Sequence, residues 1–321
     1  MIRVAFAGTF SASLEPRVRS HLAVPCEVVV ADEAAVIGKL ADVEVLITLA
    51  FTREMAAAAR RLRLVQVPGA GLDRIDRGAL PSGVWLANAY GHEVGIAEYV
   101  MGAMLAWTRD LGRIDAALRR GTWLSQWAVG TPAPPAWPEL AGKTLGIVGY
   151  GRIGRCLAQR ARAFDMTVLA IRRDVSKPDG LVELHGPDGL HDLLARSDYV
   201  AITASLSAET RGLVGQRELA TMKPTAVLIN VARAEIVDED ALYRALADRT
   251  IAGAALDVWY RYPTAAGLTV PGHRPFHALP NVLMTPHVSG WTEGMLEARA
   301  RLIAGNIARA ARGELPANLI D

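Results

Sequence analysis

Residues Thr144–Gly154 read TLGIVGYGRIG, and this stretch decides the fold of the chain. Its first part, Thr144–Val148, is a short and mostly apolar run, which is typical of a buried parallel strand. Three glycines at the spacing GxGxxG come next, a helical pattern continues through Ala163, and a second apolar run occupies Thr167–Ile171. A glycine triplet between a strand and a helix, with a second strand behind it, predicts a dinucleotide-binding unit.

The residues of this glycine turn have distinct physical roles. Gly149 permits the tight turn, Gly151 lets the backbone approach a pyrophosphate, and Gly154 allows the helix to pack closely on the strand. The start of the helix adds N–H groups without helical partners and a partial positive charge. We therefore expect Gly149, Gly151, Arg152, Ile153 and Gly154 to contact the cofactor.

The residues that end the second strand bear on the choice of cofactor. A carboxylate there would accept a hydrogen bond from the ribose 2′-hydroxyl of NAD, whereas arginine favours the 2′-phosphate of NADP. The sequence has Arg172 and Arg173, and a guanidinium binds phosphate through a two-pronged fork. We expect NADP(H) to be preferred and NAD(H) to be possible. The alternative is a solvated basic turn, and Asp174 adds a carboxylate that complicates the prediction.

Short apolar runs alternate with helical patterns along the rest of the chain, which predicts a doubly wound α/β architecture. A long helical run, Gly95–Arg120, could cross between domains, and the proline-rich stretch after it, Gly130–Leu140, predicts an irregular connector. The expected strands are Arg3–Ala7, Glu27–Val30, Val45–Thr48, Leu64–Gln66, Thr144–Val148, Thr167–Ile171, Tyr199–Ile202, Ala226–Asn230, Gly253–Leu256 and Val282–Met284.

Composition narrows the class of protein. A length of 321 residues suggests two domains, and a formal net charge of +2 argues against a polybasic protein that binds nucleic acid or a membrane surface. Two cysteines, Cys26 and Cys156, cannot build a disulfide framework or a four-cysteine zinc site, and we expect no metal. The sequence shows no signal peptide and no membrane-spanning run, so a reducing cytoplasm is the expected location.

From about Leu64 to its C-terminus the sequence resembles the D-isomer-specific 2-hydroxyacid dehydrogenase family. Several motifs carry the resemblance in a specific order and spacing. They are PGAGLDRID at 68–76, AEY at 97–99, WTR at 107–109, LAGKTLGIVG at 140–149, ETRGLV at 209–214, MKP at 222–224, NVAR at 230–233, ALDV at 255–258 and TPH at 285–287.

The resemblance implies two doubly wound domains, with a Rossmann cofactor domain inserted in a flavodoxin-like substrate domain. Residues 1–106 and 288–321 would form the discontinuous substrate domain, and residues 107–287 the cofactor domain. The active site would lie in the cleft between them, and two copies of the chain would form a homodimer through their cofactor domains.

The resemblance also assigns the residues that act on a 2-oxo acid. Arg233 matches the arginine that holds the carboxylate and polarises the carbonyl, and a guanidinium fork suits that task. His287 matches the general acid and base, because histidine titrates near neutral pH. The backbone N–H groups of Ala70 and Gly71 match the loop that grips the other carboxylate oxygen. Asp257 matches a residue that contacts the nicotinamide carboxamide.

One departure from the family concerns the partner of His287. A glutamate in the family pairs with this histidine and raises its pKa, but the corresponding position here is Tyr262. A phenol is neutral at pH 7, so it can orient the imidazole but cannot stabilise its cation by charge. We therefore expect His287 to titrate lower than in glutamate-bearing relatives. The alternatives are a replacement carboxylate, Glu93 or one within Tyr262–Pro280, or the loss of the family reaction.

Three functions stay open on the sequence alone. The first is an NADPH-dependent reductase of a small 2-oxo acid, such as glyoxylate or hydroxypyruvate, which is a D-2-hydroxyacid dehydrogenase working in the reductive direction. The second is hydride transfer from another small donor, such as formate or phosphite. The third is a nucleotide-binding regulatory protein with altered catalysis. Four aromatic residues near the motifs line a pocket or pack in the core, namely Trp259, Tyr260, Tyr262 and Trp291.

Overall fold

The computed structural model describes residues 1–264 and 267–320. The chain divides into two compact units, one built from Met1–His92 with Trp291–Asp321 and the other from Glu93–Gly290. These limits differ from the expected ones at 106/107 and 287/288. The reason for the first difference is that the helix beginning at Glu93 shares its apolar core with the helix that follows the glycine turn. The assignment of the two parts as substrate and cofactor domains stays a prediction.

The described residues form twelve strands and nine α-helices. The strands are β1 (Ile2–Ala7), β2 (Cys26–Ala31), β3 (Val45–Thr48), β4 (Leu64–Gln66), β5 (Trp85–Ala87), β6 (Thr144–Val148), β7 (Thr167–Ile171), β8 (Glu183–His185), β9 (Tyr199–Ile202), β10 (Val227–Asn230), β11 (Gly253–Leu256) and β12 (Val282–Met284). The helices are α1 (Thr9–Ser20), α2 (Arg53–Ala58), α3 (Glu93–Arg109), α4 (Leu111–Arg119), α5 (Arg152–Ala163), α6 (Leu190–Arg196), α7 (Gln216–Thr221), α8 (Glu239–Ala247) and α9 (Glu293–Arg312).

The first unit contains a parallel sheet with the strand order β2-β1-β3-β4-β5. Two apolar cores cover its two faces, and α1 and α9 pack together over one of them. This strand order is that of flavodoxin-like sheets. The expectation of a flavodoxin-like domain is confirmed.

The second unit contains a parallel sheet with the strand order β12-β11-β10-β9-β6-β7-β8. The chain runs outward from β6 through β7 to β8, returns to β9 beside β6, and then runs outward on the other side. This is the Rossmann arrangement, in which ligands bind outside the carboxyl ends of the strands near the point of reversal. The expected Rossmann domain is therefore confirmed, and the glycine turn follows β6 at that point.

Two local expectations were incomplete or wrong. The edge strands β5 and β8 were not expected, and β8 reads ELH, which is not an apolar run. The single helix over Gly95–Arg120 is two helices, since α3 ends at Arg109 and α4 begins at Leu111. Asp110 separates them in the left-handed conformation, with φ of 50°, and a helix cannot continue through it. The stretch Gly130–Leu140 is irregular, as expected.

Among residues 1–264 and 267–320, no helix combines the length and the apolar character that crossing a bilayer requires.

Candidate active site

The glycine turn is shaped by the space around it. Gly149 has φ of 104°, and a Cβ atom there would lie 2.4 Å from the backbone nitrogen of Ala204, so both conformation and space require glycine. A Cβ atom at Gly154 would lie 3.0 Å from the Gly149 carbonyl oxygen. At Gly151 the same test finds no atom within 4 Å. The backbone therefore has open space at Gly151 and is tightly packed on both sides of it.

This open space adjoins the start of α5, for which Gly151 is the N-cap residue. Gly151 has no side chain with which to cap the helix, and the N–H groups that open an α-helix have no acceptors within the helix itself. The Thr203 hydroxyl donates to the Gly149 carbonyl at 2.8 Å and ties the turn to the end of β9. A pyrophosphate fits this combination of open backbone and helix N-terminus. The residues present thus fit a dinucleotide cofactor.

The two arginines expected at the 2′-phosphate follow β7. Arg172 is partly buried, and its guanidinium donates to the Asp174 carbonyl and, at 3.1 Å, to the Lys177 carbonyl. Arg173 is exposed, and its charge lowers the pKa of Glu209, although hydrogen bonding from Ser207 is the larger cause. Arg172 is therefore engaged within its own loop, whereas Arg173 is exposed to solvent.

Arg233 lies just beyond β10, in a turn held by the last residue of that strand. The Asn230 side chain is buried, donates to the Arg233 carbonyl at 3.0 Å and accepts from the Ala232 N–H at 3.1 Å. The Arg233 guanidinium donates to the Ala232 carbonyl at 2.9 Å. Asn230 thus fixes the backbone from which the arginine projects.

Asp257 follows β11 and organises the segment after β12. Its carboxylate is fully buried and accepts from the Thr285 hydroxyl at 2.6 Å, the Val288 N–H at 2.8 Å and the Ser289 N–H at 2.9 Å. These bonds bracket His287, which has φ of 58°, a conformation that is uncommon outside glycine. The carboxylate therefore stabilises the turn that presents the imidazole. Its expected contact with the nicotinamide carboxamide stays a prediction.

Tyr262, which follows β11, and His287, which follows β12, form a hydrogen-bonded pair. The phenol oxygen lies 2.7 Å from His287 Nδ1, and the Trp259 N–H donates to that oxygen at 3.4 Å. The imidazole reaches solvent, yet desolvation by the protein around it lowers the pKa of His287. The Asp257 carboxylate opposes this effect and the Arg233 guanidinium adds to it, so the net pKa lies below the ordinary value.

Two open points concern a substitute carboxylate within the segment Tyr262–Pro280 and the packing of the nearby aromatic residues. The segment Tyr262–Pro280 contains no acidic residue, so no glutamate substitute comes from it. Trp259 and Tyr260 pack against Phe276 with ring centroids 6.2 Å away in each case, and Tyr260 donates to the Val237 carbonyl. These two aromatic residues belong to the core. Trp291 lies in the other unit, with its ring edge-on to Phe10.

Ala70 and Gly71 lie in the first unit, in the loop after β4. The loop is held from one side, because the Asn88 amide donates to the Ala70 carbonyl at 3.0 Å and the Ala89 N–H donates to the Gly69 carbonyl at 3.0 Å. Among the described residues, the backbone N–H groups of Ala70 and Gly71 have no protein acceptor. Two adjacent unsatisfied N–H groups suit a carboxylate oxygen.

Comparison with known proteins identifies the family. The model of the D-isomer specific 2-hydroxyacid dehydrogenase NAD-binding domain matches residues 101–289, more than half of the chain. The chain belongs to this family.

Individual members of the family are similar over most of the chain. A glyoxylate reductase of Thermococcus kodakarensis is 36% identical over 292 residues, which cover 88% of this chain and 84% of that protein. A D-3-phosphoglycerate dehydrogenase of Methanocaldococcus jannaschii is 35% identical over 292 residues, but the match covers 52% of its length. This chain therefore corresponds to about half of that longer dehydrogenase.

Two solved structures share the whole fold of this D-2-hydroxyacid dehydrogenase family member. The TT0316 protein of Thermus thermophilus has 29% identity and a TM-score of 0.83, with all of both chains covered. A D-isomer specific 2-hydroxyacid dehydrogenase of Xanthobacter autotrophicus Py2, in complex with NADPH and MES, has 27% identity and a TM-score of 0.80. That match covers 100% of this chain and 98% of the other.

The sequence did not reveal every residue that shapes the site of this dehydrogenase. Asn230 and Asn88 donate to backbone carbonyls next to the expected functional groups, and Thr285 donates to the Asp257 carboxylate, but none of these roles was expected. Their positions after strand ends could have suggested the role. Short polar side chains at such points often hydrogen-bond to nearby backbone.

Proposed function

We propose that this chain is an NADPH-dependent reductase that converts a small 2-oxo acid into its D-2-hydroxy acid. The observation that carries the proposal is the arrangement of Arg233 and the Tyr262–His287 pair beyond β10, β11 and β12. These strands are parallel to β6, so their carboxyl ends share one edge of the sheet with the glycine turn. An arginine, an acid–base group and a dinucleotide site are the components that this reduction requires.

The residues divide the chemistry between them. A bound dihydronicotinamide supplies the hydride for the carbonyl carbon. In this proposal Arg233 holds the substrate carboxylate and polarises the neighbouring carbonyl. The family resemblance assigns a second grip on the carboxylate to the N–H groups of Ala70 and Gly71. In its cationic form, His287 directs Nδ1–H to the Tyr262 oxygen. Its Nε2–H is then the group available to protonate the forming alkoxide.

Glyoxylate and hydroxypyruvate are the substrates that we propose. The glyoxylate reductase of Thermococcus kodakarensis supports this choice, because it is similar over 88% of this chain and 84% of its own length. The NADPH-bound dehydrogenase of Xanthobacter autotrophicus and the Arg172–Arg173 pair both favour NADPH over NADH. NADH is expected to serve more weakly.

We further propose that the chain forms a homodimer through its second unit. Large apolar side chains are exposed on α4 and on the connector after it, and their burial by a second copy would remove apolar surface from water. These side chains are Leu111, Leu118, Trp123 and Trp127. Sedimentation of the wild type and of Trp127→Ser is the test, and a monomeric wild type would exclude the dimer.

The test of the reaction is a set of initial rates for NADPH and NADH oxidation against a panel of 2-oxo acids. We expect turnover with glyoxylate or hydroxypyruvate and a higher kcat/KM with NADPH. Arg233→Lys, which keeps the charge but loses the fork, should lower kcat/KM about 100-fold, a loss of about 3 kcal/mol in transition-state binding. Lys223→Arg, in the same unit, is the control for a change of cation type. Equal losses in both variants would contradict the role of Arg233.

A second function is favoured by one observation, the neutral phenol at the partner position of His287. A protein that binds the nucleotide as a regulatory signal would not need an imidazolium. Tight NADPH binding without oxidation by any 2-oxo acid, across the acidic, neutral and alkaline range, would support this function and exclude the reductase.

A further inference from the structure

Residues 172–182, between β7 and β8, form a loop that we call the basic loop. Hydrogen bonds within the loop hold its shape. The Arg172 guanidinium donates to two carbonyls of this loop, those of Asp174 and Lys177. The Asp174 carboxylate accepts from the Ser176 N–H at 2.9 Å. Arg172 thus directs its hydrogen bonds into the basic loop and maintains its shape.

A single carboxylate also connects the basic loop to the glycine turn. The Tyr150 hydroxyl donates to Asp179 Oδ2 at 2.7 Å, and the Arg155 guanidinium lies 3.3 Å from the same oxygen. The other oxygen of Asp179 accepts from the Leu181 N–H at 3.1 Å. Tyr150 and Arg155 belong to the glycine turn and to α5, so the contact joins the two parts of the expected cofactor site.

Charge makes this contact stronger than a neutral hydrogen bond. Partial desolvation would raise the pKa of Asp179, but the Tyr150 hydroxyl, the Leu181 N–H and the Arg155 charge together hold it below its ordinary value. Burial raises the pKa of Tyr150 above its ordinary value, and the nearby carboxylate raises it further. The phenol therefore stays protonated and donates to an ionised acceptor at neutral pH, which is the strong class of hydrogen bond.

The two arginines of the basic loop differ in their hydrogen bonding and exposure. Arg172 donates to carbonyls inside the loop, whereas Arg173 is exposed and its charge contributes to the lowered pKa of Glu209. Glu209 lies in the segment after β9, the strand that adjoins β6 at the point of chain reversal. Because Arg172 is engaged inside the loop, the exposed Arg173 is the arginine of the pair that a ligand in the crevice outside β6 and β9 can reach.

We infer that Tyr150 and Asp179 fasten the basic loop to the glycine turn so that Arg173, and not Arg172, meets the 2′-phosphate of NADPH. Tyr150 and Asp179 are then positioning residues that set the preference for NADPH over NADH. Arg172 preserves the shape of the loop. The inference deepens the proposed function, because it rests on NADPH as the preferred cofactor.

Tyr150→Phe tests the fastening, since it removes the hydroxyl and keeps the buried ring. The matched control is Tyr199→Phe, which removes another buried phenol of the same unit, hydrogen-bonded to Thr108 at 2.6 Å. Two quantities are measured on each purified protein. These are the dissociation constants of NADPH and NADH from fluorescence titration, and the amide hydrogen exchange of residues 174–182 without any ligand.

We expect Tyr150→Phe to exchange faster in the basic loop and to bind NADPH about tenfold more weakly, with NADH affinity within about twofold of wild type. Tyr199→Phe should change neither. Arg173→Gln should lose the NADPH preference while the loop keeps its protection, and Arg172→Gln should loosen the loop.

Several results would overturn the inference. Unchanged loop exchange in Tyr150→Phe excludes the fastening, and an NADPH preference that survives Arg173→Gln but not Arg172→Gln reverses the assignment of the two arginines. Equal affinity of the wild type for NADPH and NADH would instead refute the proposed cofactor preference. The ligand-free exchange measurement then decides the fastening by itself.

Discussion

The phenol oxygen of Tyr262 lies 2.7 Å from Nδ1 of His287, so the imidazole has an oriented but uncharged partner. A neutral partner can fix the ring and select which nitrogen faces the substrate. It cannot offset the desolvation that lowers the pKa of His287. The supply of the acid form of His287 should therefore limit reduction as the pH rises.

Tyr262→Glu should extend reduction to higher pH. A carboxylate within hydrogen-bond distance of an imidazole favours its cation, and the effect on the histidine pKa is about one to three pH units. Because the acid form protonates the alkoxide, the high-pH limb of kcat/KM for reduction should move upward. For oxidation, which needs the neutral imidazole, the low-pH limb should move in the same direction. Both limbs are obtained from initial rates measured from acidic to alkaline pH.

Tyr262→Gln is the matched control for that change, because glutamine has the size of glutamate without its charge. It should reduce kcat through poorer orientation but leave the high-pH limb of reduction near its wild-type position. Movement of that limb in the glutamine variant, or its absence in the glutamate variant, would show that charge at position 262 does not control His287.

The fold was largely predictable from the sequence because its strands are apolar and parallel. Runs such as Val45–Thr48 and Tyr199–Ile202 are buried on both faces, so they differ sharply from the polar segments around them. The edge strand β8 reads ELH and lacks this contrast. The break between α3 and α4 at Asp110 was equally unpredictable. Its left-handed conformation leaves the apolar pattern on either side unchanged.

The chemistry of the site was predictable in part. The family resemblance predicted Tyr262 at the partner position of His287, and its hydroxyl lies within hydrogen-bond distance of the imidazole. The bracket that Asp257 forms around His287 did not follow, because it joins residues that are 28 to 32 positions apart, in part through backbone N–H groups. Such groups carry no sequence signal. The hydrogen bonds of Arg172 to loop carbonyls could not be predicted for the same reason.

Alanine substitutions at Gly149 and at Gly151 of the glycine turn should differ in their effect on the free energy of unfolding. Gly149→Ala should lower the free energy of unfolding by at least about 2 kcal/mol, since φ is 104° and the new Cβ would meet Ala204 backbone. Gly151→Ala should leave stability within about 0.5 kcal/mol, because the space is open and the backbone is extended. It should nevertheless weaken NADPH binding, because the added methyl group occupies the pyrophosphate site. Urea unfolding and NADPH titration provide both quantities, and a Gly151→Ala protein with normal NADPH affinity would argue against this site.

Replacement of Asp257 should act on both stability and pH dependence. In Asp257→Asn one of the N–H groups of Val288 and Ser289 loses its acceptor, which costs about 1 to 3 kcal/mol of unfolding free energy. The variant also loses the negative charge that raises the pKa of His287, so the high-pH limb of reduction should move to lower pH.

The control for Asp257→Asn is Asp198→Asn, which removes a carboxylate that accepts from the Thr144 N–H and from Lys223 in the same unit. That variant should lose stability with an unchanged pH profile. If both variants shift the high-pH limb equally, the effect comes from general loosening and not from the charge next to His287.

A network of buried side-chain amides supports the loop that contains Ala70 and Gly71. The Asn306 amide donates to Gln66 Oε1 at 2.7 Å, and the Gln66 amide donates to the carbonyls of Val67 and Ala87. Val67 precedes the loop directly. Loss of the Asn306 side chain should therefore disturb the N–H groups that are proposed to hold the substrate carboxylate.

Asn306→Ala should raise KM for the 2-oxo acid at least about threefold, while NADPH affinity stays near wild type, because the glycine turn lies in the other unit. Asn281→Ala is the matched control, since Asn281 is a buried amide of the second unit that donates to the carbonyls of Leu246 and Ala252. Each substitution should cost about 1 to 3 kcal/mol of unfolding free energy, because each leaves buried polar groups without partners. The comparison therefore separates loop positioning from stability. A rise in KM of the same size in Asn281→Ala would mean that lost stability, and not the support of the Ala70–Gly71 loop, weakens substrate binding.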